Sequence, residues 1–321
     1  MHALIPRLLT TLVLLLPGVA WPQFDSFGYQ LQNVDPLELA GSSLGLLIID
    51  YSLDGGQEQA LTREDIATIK AATGKKVVAY LSIGEAENYR YYFKRAWISA
   101  GACPRKPARG APAWLDRENR AWCGNFKVRY WDKQWKKILY GVTTGTTESY
   151  LDRIMDAGFD GVYLDIIDGF EYWLYDKPKA QRRKSAASDM AQLVIDLARY
   201  ARGTREVTDF LVIPQNGEDI INQISPALRA QYLGAIDGIG SEDAFFPGNR
   251  PENNTFSPQD PVLSTLELYR QAGKTVLSIE YLTEPDKIEA FRQAACDRGF
   301  IPQISHRDLD SIQWNTLPGC R

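Results

Sequence analysis

The sequence predicts an α/β protein, a closed (β/α)8 TIM barrel with loop insertions at its C-terminal mouth. Three observations point there: short apolar runs of strand length, helix-like stretches between them, and glycines just past several of those stretches, where a helix stops. Eight strands alternating with helices over about 300 residues match a barrel in count and length. An open, doubly wound sheet is the competing architecture. It lacks its phosphate signature here, because no G-x-G-x-x-G follows the first strand.

In chain order the expected strands are Phe27–Leu31, Leu44–Asp50, Val77–Ile83, Gly161–Ile166, Phe210–Gln215, Gly238–Glu242, Thr275–Glu280 and Ile301–Ser305. Helical patterns lie between them in "TREDIATIKAATG", "TESYLDRIMDAG", "SDMAQLVIDLARYARG" and "PDKIEAFRQAACDRG". The segment from Trp97 to Trp135 is too long and irregular for a plain barrel connection, and reads as an insertion ending in a short strand around Phe126–Tyr130. A second insertion, "FEYWLYDKPKAQRRK", carries a basic run from Lys177 to Lys184 that reads as a solvated helix face. No repeat or linker divides the chain, so residues 21–321 are expected to form one domain.

Residues 1–20 read as a secretory signal. Arg7 precedes an apolar run from Leu8 to Ala20, with Gly18 and Ala20 placed for cleavage, and the run is shorter than the ~20 residues of a membrane helix. The mature chain is expected to be soluble, monomeric, and secreted or periplasmic. Export makes disulfides the natural state of its four cysteines, and sequence proximity favours Cys103 with Cys123 and Cys296 with Cys320 among three possible pairings.

Formal net charge is −4, from 36 basic and 40 acidic residues, which argues against nucleic acid as a partner and suits a cationic ligand. Only His306 remains after the signal, and no G-x-S-x-G elbow is present. Nucleophile triads and His-rich metal sites are therefore disfavoured.

Strand parity then points to the mouth. Side chains alternate faces, so Tyr163 and Asp165 share one face while Val162, Leu164 and Ile166 share the other. With the apolar set covering the helix layer, Asp165 points inward. The same parity sets Ile48 with Asp50, Tyr80 with Ser82, Ile213 with Gln215, Gly240 with Glu242, and Val276 with Ser278 and Glu280. Barrel enzymes place their sites at that end of the strands, and semi-buried acids there are costly unless paired or hydrogen-bonded, so a ring of them points to function. Plentiful carboxylates without a histidine cluster suit glycoside hydrolysis by two acids. Aromatics at or just after strand ends suit stacking on sugars: Tyr51, Tyr80, Tyr89, Tyr91, Tyr92, Phe170, Tyr172, Trp173, Phe245, Phe246 and Tyr281.

Eight segments in order, "LLIIDYSLDG", "VVAYLSIGEAENYRYYF", "FKVRYWDKQW", "GFDGVYLDIIDGFEYW", "IPQNGEDI", "GIGSEDAFF", "VLSIEYL" and "ISHRDLD", resemble the endo-α-1,4-polygalactosaminidases of glycoside hydrolase family 114. The resemblance implies a TIM barrel that cuts galactosamine-containing polysaccharide internally, without metal or organic cofactor. It places the catalytic acids on Asp165, as nucleophile or water-activating base, and Glu242, as general acid. Asp50, Tyr80, Glu87, Asp168, Gln215, Asn216, Glu218 and Glu280 are the implied supporting residues, with Glu218 the rival for either catalytic role. Partly deacetylated galactosamine polymers are cationic and would be drawn to such a mouth. Two alternatives are a non-catalytic glycan-binding barrel of the cell envelope and a polysaccharide deacetylase.

Overall fold

The structure is a computed structural model, and it describes residues 24–71, 74–142, 148–312 and 320. The expected signal lies outside these residues. Parallel strands β1 (Phe27–Gln30), β2 (Leu46–Ile49) and β3 (Lys76–Ser82) start the barrel. A small antiparallel sheet interrupts it, built from β4 (Glu85–Glu87), β5 (Leu115–Glu118) and β6 (Asn125–Val128) in the order β4-β6-β5. The barrel resumes with β7 (Gly161–Asp165), β8 (Leu211–Pro214), β9 (Gly238–Glu242), β10 (Thr275–Tyr281) and β11 (Ile301–Ser305).

Strand β7 pairs with β3 on one side and β8 on the other, with Asp165 beside Ser82. The β8–β9 seam is carried by a Gln215–Gly240 bridge and by Asn216 N–H to Gly240 O at 2.8 Å. The last strand neighbours the first, and the chain beyond it is tied to the end of β1 by Leu31 N–H donating to Leu309 O at 2.8 Å. All eight expected barrel strands are present, with ends shifted by at most two residues.

Two apolar cores follow from this alternation. Val162 and Leu164 join the large core between strands and helices. Phe27, Tyr29, Ile48, Val78, Tyr163 and Ile213 belong to a separate core that fills the barrel. Gly240 serves that inner core by having no side chain: a Cβ there would lie 1.8 Å from the Tyr163 hydroxyl. Helix Arg63–Ile69 starts in a Thr62–Asp65 capping box, and helix Tyr150–Ala157 stops at Gly158 with φ +90°.

Three expectations need correction. On β10 the inward residues are Leu277, Ile279 and Tyr281, whereas Val276 packs in the outer core and Glu280 is turned away from the barrel axis. Both faces of β10 are apolar enough to be buried, so polarity alone misassigned its parity. The insertion contains two short strands rather than one, β5 and β6, of which β6 matches the expected one, and both join a sheet with β4 from just before it. The basic run is not a helix face: only Lys179–Gln181 forms a 3-10 turn, while Lys177 pairs with Asp116 at 2.8 Å over the Tyr172 and Trp173 rings.

The cysteines pair as proximity suggested. Cys103 and Cys123, and Cys296 and Cys320, have Cα separations of 5.8 and 5.3 Å, normal for disulfides. No helix among the described residues is long and apolar enough to cross a membrane.

Candidate active site

A cleft of about 750 Å³ opens at the C-terminal ends of the strands. Asp165, at the end of β7, and Glu242, at the end of β9, both line it. Each carboxylate has its own donors. Asp165 accepts from the Tyr80 hydroxyl at 2.6 Å and the Ile166 amide at 2.7 Å. Glu242 accepts from the Tyr281 hydroxyl on one oxygen and from the side-chain amides of Gln215 and Asn216 on the other.

The backbone turns sharply behind these groups. Ile166, Asn216 and Asp243 each follow a cleft-facing residue at a strand end and have φ of +60°, +56° and +56°. Asn and Asp tolerate that region, but a β-branched residue there costs on the order of 1–3 kcal/mol. The strain at Ile166 sits beside Asp165, where the chain must leave the strand at once to keep the mouth open.

Burial raises both acids. Asp165 is pushed up to about 8, chiefly by desolvation and further by the charge of Glu242, with the Tyr80 bond opposing. Glu242 is raised by burial against the opposing bonds from Tyr281 and Asn216. Burial and the neighbouring acid drive the Tyr80 and Tyr281 phenols well up too, so both stay protonated and able to donate.

Asp50, Tyr80, Glu87, Asp168, Tyr172, Gln215, Asn216 and Tyr281 also line this cleft. Asp50 and Glu87 are committed to Arg90, which donates to Asp50 through both terminal nitrogens at 2.8 and 2.7 Å and to Glu87 through Nε at 2.7 Å. They shape a wall of the cleft through that buried cation.

Five proposed residues lie elsewhere. Tyr51 packs edge-on against Tyr150 at 4.8 Å, and Trp173 donates its indole N–H to Val128 O at 3.0 Å. Phe245 packs on Phe291 in the outer core. Glu218 accepts from the Ser241 hydroxyl, on the face of β9 opposite Glu242. Glu280 is 0% exposed; it accepts from the Phe245 amide at 2.7 Å, and its second oxygen has no hydrogen-bond partner. Glu280 sits on the outward face of its strand, Tyr51, Trp173 and Phe245 follow strands and pack into the outer core, and Glu218 lies past β8 against the outward face of β9.

Glu280 gives a stability prediction. Burial pushes it up to about 8, whereas an unfolded glutamate ionises near ~4.3. Between those values the folded chain holds a proton that the unfolded chain has released, so stability falls as pH rises through that window. Glu280→Gln is expected to raise Tm, more at pH 8 than at pH 5. An equal gain at both pH values would contradict a buried neutral acid.

Sequence reasoning missed several lining residues. Tyr29 donates to Gln215 Oε1 at 3.2 Å, and its inward parity on the first strand was a readable signal. Arg307 chelates Asp243 through two 2.9 Å bonds and lies 3.6 Å from the Tyr281 ring centre, giving "ISHRDLD" a place behind Glu242. Glu85, held by Lys127 and Asn119 at 3.0 Å each, comes from the insertion sheet and had no such signal. Among the described residues no group of three or more His, Cys, Asp or Glu is placed to hold a metal ion.

Eight parallel strands around a mouth holding two separately supported carboxylates define the class: a TIM-barrel protein with a carboxylate-based site. The glycoside-hydrolase family GH114 matches residues 16–318, and the chain belongs to that family. It is 35% identical over 305 residues to an uncharacterized protein of Thermotoga maritima, covering 92% of this chain and 85% of that one. An uncharacterized protein of Methanocaldococcus jannaschii, MJ1477, is 34% identical over 300 residues, covering 90% and 78%. Among solved structures, Aspergillus fumigatus Ega3 in complex with galactosamine has a similar fold, with TM-score 0.58, 19% identity, and coverage of 92% and 96%.

Proposed function

We propose that this protein is an exported endo-acting hydrolase of galactosamine-containing polysaccharide, cleaving α-1,4 linkages with Asp165 and Glu242. The observation that carries this reading is their placement in one cleft, from different strands, each with separate donors. Glu242, raised by burial, suits the general acid that protonates the leaving oxygen. Asp165 then acts as nucleophile or activates water, for which it must be ionised. Burial pushes Asp165 up to about 8, so a substrate group that stabilises its ionised form would help it act. A sugar ammonium near Asp165 would do so, because an opposite charge favours the ionised carboxylate.

The other cleft groups fit that substrate: Asp54, Asp168, Glu171, Asp176 and Asp308 add negative charge around the pair. Product analysis on galactosamine-rich polysaccharide tests the activity, with release of internal fragments expected. On free-amine polymer, kcat/KM is expected to fall as salt rises from 0.05 to 0.5 M, since added salt shortens the Debye length. N-acetylation is expected to flatten that salt dependence and move the rising limb of the kcat pH profile upward, towards pH 8. Identical salt and pH profiles on both polymers would refute the electrostatic role.

A further inference from the structure

Six large apolar side chains stand exposed among the described residues, and three of them, Leu53, Tyr89 and Trp122, line the cleft. Isolated exposed apolar residues need no explanation, but their convergence on one cavity does. Trp122 is 58% exposed and Tyr89 47%, in contrast to the core positions of Tyr51 and Trp173.

Both rings are on supported backbone. Trp122 precedes Cys123, whose disulfide to Cys103 clips the loop, and its carbonyl accepts from the Asn125 amide at 3.2 Å. The Tyr89 hydroxyl donates to Glu87 at 2.5 Å, and its ring lies 4.9 Å from the Arg90 guanidinium. Gly55 makes room for that ring, since a Cβ there would come within 2.6 Å of it. The two loops are joined by the Asn88 amide donating to Gly124 O at 2.9 Å. The Tyr89 ring is held before binding and the Trp122 backbone is pinned, which lowers the freedom a stacking surface loses on contact.

We infer that Leu53, Tyr89 and Trp122 form an outer sugar-binding platform, which holds a unit of the polysaccharide chain away from the bond being cut. The inference rests on the polysaccharide reading of the cleft. A pyranose ring offers an apolar C–H face to an aromatic ring and keeps its hydroxyls at the edge. An amino sugar adds a cation that aromatic faces attract, and Asp54 on the same rim supplies a negative charge. The platform belongs to the same cavity as Asp165 and Glu242, so one chain can occupy both.

The test compares wild type, Trp122→Ala, Trp122→Phe and a control, Leu37→Ala, whose exposed side chain lies outside the cleft. KM and kcat are measured on long galactosamine polymer and on short fragments of it. Polymer binding is measured separately by calorimetry with the Glu242→Gln protein, with and without Trp122→Ala. Trp122→Ala is expected to raise KM for polymer roughly five- to tenfold with kcat largely kept, and to raise Kd by a similar factor. The rise should shrink on short fragments, Trp122→Phe should recover part of it, and Leu37→Ala should match wild type. If polymer is cleaved with a KM that ignores Trp122, or if short fragments suffer equally, the platform is wrong and the activity stands. If wild type neither cleaves the polymer nor, as Glu242→Gln, binds it, the activity falls and the platform with it.

Discussion

Asp165→Asn and Glu242→Gln, each made alone, are expected to lower cleavage of galactosamine-rich polysaccharide by at least about a thousandfold. Both exchanges keep shape and remove the ability to hold or transfer a proton. In Asp165→Asn the side-chain oxygen still accepts one bond, from Tyr80 or from the Ile166 amide, while the new amide meets the other donor. In Glu242→Gln one oxygen still accepts from Tyr281, and the new amide faces the amide donors of Gln215 and Asn216, which must reorient. Thermal unfolding beside the activity assay separates lost chemistry from lost structure. A variant that keeps near-normal activity would remove its residue from the mechanism. A folded variant that still binds polymer but does not cleave it would confirm that binding and chemistry are separate in this cleft.

Arg90→Met is expected to destabilise the fold by about 3–5 kcal/mol, measured by urea unfolding at neutral pH. Arg90 is buried among the rings of Tyr51, Tyr89 and Tyr150, with centres 5.4, 4.9 and 5.5 Å from its guanidinium carbon. It is the cationic partner of both Asp50 and Glu87, which are themselves buried. Methionine fills much of the volume but leaves two desolvated carboxylates facing each other. Burial already raises Asp50 while Arg90 opposes that rise, so losing the arginine moves it further up. The deficit is therefore expected to shrink as pH falls and Asp50 takes up a proton. A loss under about 1 kcal/mol at neutral pH would show that the triad contributes little beyond shape. Activity should fall as well, because Asp50, Glu87 and Tyr89 line the wall that Arg90 organises.

Much of the barrel was legible because its signal is local and periodic. Short apolar runs separated by helical patterns located all eight strands, and glycines at helix ends, such as Gly158, marked where the chain turns back. Parity carried Asp165, Gln215 and Glu242 to the inner face, since one face of each strand was evidently apolar or small. It failed on β10, where Val276 and Leu277 are both buried and the pattern offered no contrast. Tyr281, rather than Glu280, reaches Glu242 for that reason. The small antiparallel sheet hid its contribution differently: β4 is three residues long, too short for periodicity to show.

The sequence by itself determined the order of strands and helices, the disulfide pairing favoured by proximity, and the two acids at strand ends, because each depends on neighbours along the chain. Tertiary structure decided which carboxylates remain open to the cleft. Asp50 and Glu87 are taken by Arg90, Glu280 is buried on the outward face of β10, and Glu218 is held by Ser241 on the far face of β9. It also decided which aromatics meet solvent, placing Tyr51 and Trp173 in the core and Trp122 on the rim. The physical reason is that burial and ion pairing are set by whatever packs opposite a side chain, and in a barrel that partner comes from distant parts of the sequence.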